Sequence, residues 1–142
     1  MDKKKVLFLC TGNSCRSQMA EGWARYLLDD EIEAFSAGVI RHGLNQKAVQ
    51  VMEEAGVDIS GQYSKTLDDL PDQNFDAVIT LCNHANETCP FFGHRSVTFH
   101  QGFDDPPKLA QVILDEEDEL DVYRRVRDEI KYFVQSLPNQ LR

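Results

Sequence analysis

A chain of 142 residues with a formal charge of −9 has limits set before any motif is read. It is one domain's worth of sequence, 1–142, long enough to bury a core without disulfides or a structural metal, and no metal site is expected. The balance of 24 Asp and Glu against 15 Lys and Arg, with no basic patch, excludes a nucleic-acid binder. No apolar stretch reaches the length of a membrane span.

The first element is the apolar run Val6-Leu7-Phe8-Leu9, short and unbroken, which reads as a buried strand. The loop Cys10-Thr11-Gly12-Asn13-Ser14-Cys15-Arg16-Ser17 follows. Met19, Ala20, Trp23, Ala24, Leu27 and Leu28 then recur at a helical period and predict a helix over Ser17 to Leu28. Ala34-Phe35-Ser36-Ala37 before Gly38 predicts a second strand. Asn45 reads as the N-cap of a helix carrying Ala48, Val51, Met52 and Ala55, with Gly56 as its stop. Thr66 to Leu70 is a short helix halted before Pro71. Ala77-Val78-Ile79-Thr80-Leu81 is a third strand and Val97-Thr98-Phe99 a weaker fourth. Leu120, Tyr123, Val126, Ile130, Phe133, Val134 and Leu137 mark the last helix, with acids crowding its N-terminal end from Asp115 to Asp121 and Pro138 closing it.

Strands alternating with helices predict an α/β fold, a parallel four-stranded sheet with helices on both faces. Ligands of such folds bind beyond the carboxyl ends of the strands. Alternation alone therefore brings the end of strand one, Cys10, and the end of strand three, Cys82, to the same edge.

The strand–loop–helix around Cys10 makes an anion cradle. Loop amides and the unpaired N–H groups of the helix start point into one concavity, and the helix dipole favours negative charge there. Cys10 opens the loop and Arg16 closes it, so a thiol and a guanidinium flank one tetrahedral oxyanion, held by Thr11, Gly12, Asn13, Ser14, Cys15 and Arg16. A ring of N–H donors with Arg16 is expected to lower the Cys10 pKa and make its thiolate a nucleophile. Arg16 offers a planar two-pronged donor that a lysine would not match. The plainer reading makes Cys10 a buried strand-end cysteine and Arg16 a surface charge. Cys15 is expected to point toward the core.

Four cysteines, Cys10, Cys15, Cys82 and Cys89, are many for a reducing compartment, where they serve catalysis or metal binding more often than cross-linking. Were the segment from Cys82 to Cys89 helical, the two would stand roughly 10 Å apart along it. A disulfide needs Cα atoms within about 7 Å, so the segment would have to unwind. Its asparagines, threonine and terminal Pro90 make a weak helix that could do so. Two alternatives stand beside this one. Cys82, His84, Cys89 and His94 are zinc-ligand types without the usual knuckle spacing, or Cys82 is core filler and Cys89 incidental. A general acid would ease departure of an oxyanion's oxygen, and Asp105 in Asp104-Asp105-Pro106-Pro107 follows the fourth strand closely enough to serve. Pro106 would hold Asp105 extended; an ordinary acidic turn is the alternative.

Taken together, the Cys10-to-Ser17 loop, its continuation Gln18-Met19-Ala20-Glu21-Gly22, the Cys82/Cys89 pair, Phe103-Asp104-Asp105-Pro106 and Arg124-Arg125-Val126-Arg127-Asp128-Glu129-Ile130 resemble the thioredoxin-coupled arsenate reductases. That family shares the low-molecular-weight protein tyrosine phosphatase fold. The resemblance implies arsenate reduction for arsenic detoxification. Cys10 would attack arsenate, Asp105 would protonate the departing oxygen, and Ser17 would steady the thiolate. Cys82 and then Cys89 would carry the oxidised bond outward to thioredoxin as electron donor. No tightly bound cofactor and a monomer are expected beside it, and the lysine-rich start that runs straight into a strand makes a cytoplasmic location the default.

Some members place potassium on residues matching Asn13, Glu21 and Ser36 with an aspartate where Lys65 stands here, so an ammonium would take the cation's place. The rivals are a low-molecular-weight phosphatase, whose chemistry would also serve as a weak side activity, and a non-catalytic oxyanion or redox sensor. Pro107 and Lys108 stand where such phosphatases carry aromatic residues for a phosphotyrosine ring.

Overall fold

A computed structural model describes residues 3–71, 74–82 and 96–141. Four strands, β1 (Lys4–Cys10), β2 (Ile32–Gly38), β3 (Ala77–Thr80) and β4 (Val97–His100), form one sheet in the order β2-β1-β3-β4. Every neighbouring pair is parallel. The helices are α1 (Arg16–Leu27), α2 (Gln46–Glu54), α3 (Pro106–Ala110) and α4 (Glu116–Gln140), with a 3-10 turn at Leu67–Asp69. The expected parallel four-stranded α/β fold is present.

Alternation along β1 splits the core. Val6 and Phe8 face the larger cluster with Met19, Trp23, Met52, Ile130 and Val134 of the helices. Leu7 and Leu9 face the other side with Leu70, Phe75 and Val78. Among the described residues, this second face is covered by the 3-10 turn and the chain that follows it. The Trp23 ring is buried between α1 and α4, and its Nε1 donates to the Arg127 carbonyl at 3.1 Å.

The sequence reading holds for most starts and stops. Asn45 caps α2, its side chain accepting from the Lys47 and Ala48 amides. Asp115 caps α4 by accepting from the Asp118 amide, and Glu116 to Glu119 fill the first turn. Three boundaries differ. The short helix expected over Thr66 to Leu70 is the single 3-10 turn, closed by a capping box between Thr66 and Asp69. The helix α3 directly after Asp105 was not foreseen.

Pro138 does not close α4, which runs on to Gln140. Proline inside a helix removes one main-chain bond at a cost of about 3 kcal/mol. Here Leu137 is fully buried and Leu141 packs on the same core, so burial on both sides of Pro138 holds the last turn. No described helix is long and apolar enough to cross a membrane.

Candidate active site

The register brings the strand ends to one edge: Cys10 lies beside Gly38 of β2, and Leu9 beside Thr80 of β3. Past β3, the Leu81 amide donates to the Leu9 carbonyl at 2.8 Å, and Cys82 follows. The Phe103 amide donates to the Leu81 carbonyl at 3.2 Å, which carries the Asp104-Asp105 segment to the same edge. Cys10, Cys82 and Asp105 thus meet as alternation predicts.

Between Cys10 and Arg16 the chain turns sharply. Asn13 stands at φ 49°, a left-handed conformation that costs a non-glycine residue roughly 1 kcal/mol. A buried clamp holds it there. Its Oδ1 accepts from the Lys65 amide at 2.9 Å and from Gln18 Nε2 at 3.0 Å, and its Nδ2 donates to Ser17 Oγ at 2.8 Å. The next strap fixes the other flank. The Val39 and Ile40 amides donate to the Thr11 carbonyl at 2.9 and 3.0 Å, and the His42 amide to the Gly12 carbonyl at 3.0 Å. Gly38 has no alternative, because a Cβ there would stand 2.7 Å from the Asn13 amide nitrogen and 2.6 Å from the Ile40 carbonyl.

Arg16 opens α1, is almost wholly buried, and is aimed by two partners. Its Nη1 donates to the Phe103 carbonyl at 3.0 Å, and its Nη2 lies 3.6 Å from Asp105 Oδ2. Asp105 has extended backbone at the N-cap of α3, with prolines behind it, and its side chain makes no capping bond. It is left to face the cavity, as Pro106 led us to expect. That cavity, about 270 Å³, is lined by Cys10, Thr11, Gly12, Ser14, Cys15, Arg16, His42, Asn45, Asp105 and Pro107.

Two expectations change at this site. Ser17 does not touch the Cys10 sulfur: its hydroxyl accepts from Asn13, so it holds the loop. The Cys10 thiol is not lowered but raised well above its ordinary value. The hydrogen bond with Cys82 is the largest cause and burial the next, and together they outweigh Arg16 and the Thr11 amide, which pull the other way. Two thiols side by side beneath one guanidinium share the available stabilisation and hold a proton between them. Cys15 lies in the core as expected, and burial pushes its thiol up. Cys82 is buried, with its Sγ 3.1 Å from the Thr11 hydroxyl. Cys89, His84 and His94, and with them the unwinding of the Cys82–Cys89 segment and most of the zinc alternative, lie outside the described residues.

The suspected cation site is filled from within the chain. Lys65 Nζ lies 3.5 Å from Glu21 Oε1 and 3.4 Å from Ser36 Oγ, and donates to the Tyr63 carbonyl at 3.1 Å. Ser36 Oγ donates to Glu21 Oε1 at 2.6 Å. Asn13 meets the Lys65 main chain and not its ammonium. Burial lowers the Lys65 pKa, and Glu21 opposes that shift. A potassium ion does not fit beside this ammonium, since both would claim the same oxygens.

Sequence reasoning missed two participants. The Phe103 carbonyl that aims Arg16 leaves no mark in a residue pattern. His42 could have been found, because β2 ends at Gly38 and everything just beyond a parallel strand's carboxyl end lies at the ligand edge.

A parallel sheet bearing a strand–loop–helix cradle with cysteine first and arginine last defines a phosphatase-loop protein. The chain belongs to the low molecular weight phosphotyrosine protein phosphatase family, whose family model matches residues 5–142. Within that family it is similar to arsenate reductases. The one from Halalkalibacterium halodurans is 51% identical over 130 residues, covering 92% of this chain and 91% of that one. The one from Bacillus licheniformis is 52% identical over 130 residues, with the same shares of 92% and 91%. A solved structure of an arsenate reductase in the phosphate binding state superposes with a TM-score of 0.81 at 33% identity, covering 98% of this chain and 99% of that one.

Proposed function

We propose that this chain reduces arsenate to arsenite and passes the oxidation outward through Cys10, Cys82 and Cys89 to thioredoxin. The observation that supports this best is the second cysteine. Cys82 is hydrogen-bonded to Cys10 and stands 3.1 Å from the hydroxyl of Thr11, the next residue of the loop. A phosphatase has no use for a thiol there.

The first two steps use groups already placed, and Cys89, which lies outside the described residues, enters at the third. Arsenate enters the cradle against the loop amides and Arg16, one of its oxygens takes the proton from the Cys10 thiol, and the thiolate so formed attacks arsenic. One oxygen leaves as water after Asp105 gives it a proton, and arsenic(V) remains bonded to sulfur. The Cys82 thiolate then attacks the Cys10 sulfur. The sulfur–arsenic bond breaks with its electron pair left on arsenic, so arsenite departs and a Cys10–Cys82 disulfide remains. Cys89 attacks Cys82 and releases the Cys10 thiolate, leaving a Cys82–Cys89 disulfide. The dithiol of thioredoxin reduces that bond, supplying two electrons and two protons. No resident cofactor is needed, and the relay belongs to a reducing compartment, the cytoplasm. The ammonium of Lys65 takes the role that potassium has in some relatives, so turnover does not depend on that ion.

Cys10, Arg16 and Asp105 also suffice for slow hydrolysis of small aryl phosphates, which gives a control. NADPH oxidation is followed with thioredoxin, thioredoxin reductase and arsenate present. Steady oxidation that stops in Cys82→Ser and Cys89→Ser, while aryl phosphate hydrolysis survives, is expected. Loss of both activities together would count against the relay, and no oxidation at all with the native chain would leave a sensor or a phosphatase.

A further inference from the structure

The side chain of His42 is unused in the scheme above, yet it stands on the substrate cavity. The main chain around it is already held by the three amide bonds to the Thr11 and Gly12 carbonyls, so the ring is not needed to fix the strap. The ring nevertheless covers the loop closely. A Cβ on Gly12 would lie 2.2 Å from His42 Nδ1 and 2.6 Å from Cγ. Gly12 is therefore glycine because the imidazole occupies the space where its side chain would be.

That placement is chemically specific. Nδ1 sits against the cradle, in the same cavity wall as Cys10, Arg16 and Asp105. Among the described residues no hydrogen bond or ion pair engages the ring, and with Nδ1 packed against Gly12 it is Nε2 of this exposed side chain that is open to a ligand. Arg16 has already given one N–H to the Phe103 carbonyl and leans toward Asp105, so part of its donor capacity is spent on protein. On a chain of net charge −9, an incoming dianion needs a donor at the cavity mouth as well as at its floor. Asn45, from the start of α2, and Pro107, from α3, complete that rim and carry no charge.

We infer that His42 is a substrate-binding residue, whose ring N–H donates to an oxygen of the tetrahedral oxyanion as it settles in the cradle. This rests on the reading of the Cys10 loop as an oxyanion site and names a further contact in it. The effect belongs to binding: the ring holds the ion before and during attack without exchanging a proton with it.

The test separates a ligand contact from a packing role. His42→Phe keeps a ring over Gly12 and removes the donors, whereas His42→Gln keeps an N–H donor on a flexible stem. Phosphate affinity is measured by calorimetry, independently of any turnover, alongside the KM and kcat for arsenate and the thermal midpoint. The expected result for His42→Phe is phosphate binding and arsenate KM each weakened about tenfold, with kcat and the thermal midpoint near native. His42→Gln should recover a good part of the loss. Phosphate binding unchanged in His42→Phe overturns the inference, as does a fall in kcat and thermal midpoint of the same size in both variants. If phosphate binding weakens but the native chain does not turn over arsenate, the contact stands and the reductase reading fails.

Discussion

The Cys82 sulfur lies 3.1 Å from the Thr11 hydroxyl, which ties the second thiol to the loop that carries the first. That second thiol is also the largest cause raising the Cys10 pKa, so the state of Cys82 bears on the reactivity of Cys10.

Removing Cys82 should therefore sharpen Cys10. The hydrogen bond from that thiol is the largest cause raising the Cys10 pKa, and its charge also raises it, while Arg16 and the Thr11 amide lower it. In Cys82→Ala, Arg16 and the Thr11 amide are opposed by burial alone. The apparent pKa of Cys10 is expected to fall, and its thiolate fraction at neutral pH to rise. Alkylation rate against pH measures this. A profile that stays put or moves up would mean that burial, not Cys82, keeps the thiol protonated.

Asp105 is expected to matter for rate and not for stability. Its side chain makes no capping bond to α3 and is partly exposed, so Asp105→Asn should leave the thermal midpoint nearly unchanged. Loss of a general acid typically costs about 10²–10⁴ in rate, and both arsenate turnover and aryl phosphate hydrolysis should drop on that scale. Retained activity would return Asp105 to an ordinary acidic turn.

Lys65 gives two outcomes. Exchanging sodium for potassium should change neither turnover nor stability, because the ammonium already meets Glu21 and Ser36. Lys65→Met should destabilise the chain by about 3 kcal/mol in denaturant unfolding, since among the described residues it leaves the buried Glu21 carboxylate with Arg25 alone, 2.9 Å away, as its ionic partner. A clear gain on adding potassium to the native chain would refute the first expectation.

Gly38→Ala tests the loop's rigidity from behind. A Cβ there would stand 2.7 Å from the Asn13 amide nitrogen, and backbone on both sides leaves it no room. Overpacking of this kind costs about 1–3 kcal/mol, and the cradle's amides would be displaced with it. Reduced stability together with reduced phosphate affinity is expected; a native phosphate affinity would show that the loop is set by the Asn13 clamp alone.

What the sequence disclosed and what it withheld divide along one line. The loop from Cys10 to Arg16, the cap at Asn45, the acidic start of the last helix, the four strands and the meeting of Cys10 with Cys82 follow from local pattern and alternation, which residue types carry openly. Asp105 was found the same way, through its prolines. The misjudged features depend on where side chains sit in the fold, which residue types alone do not show. Pro138 reads as a helix stop until the burial of Leu137 and Leu141 is seen, and Ser17 reads as a partner of Cys10 until Asn13 is found beside it. The direction of the Cys10 shift needed the distance between two sulfur-bearing strands' ends, not the donors of one loop. The shortness of the last turn at Leu67–Asp69 likewise reflects its capping box and not its composition.

One measurement bears most directly on the relay: disulfide mapping by mass spectrometry after one equivalent of arsenate and no thioredoxin. The native chain is expected to hold a Cys82–Cys89 bond, and Cys89→Ser a Cys10–Cys82 bond, each with arsenite released in equal amount. Arsenite release with Cys10 and Cys82 both still free thiols in Cys89→Ser would contradict the mechanism at its second step.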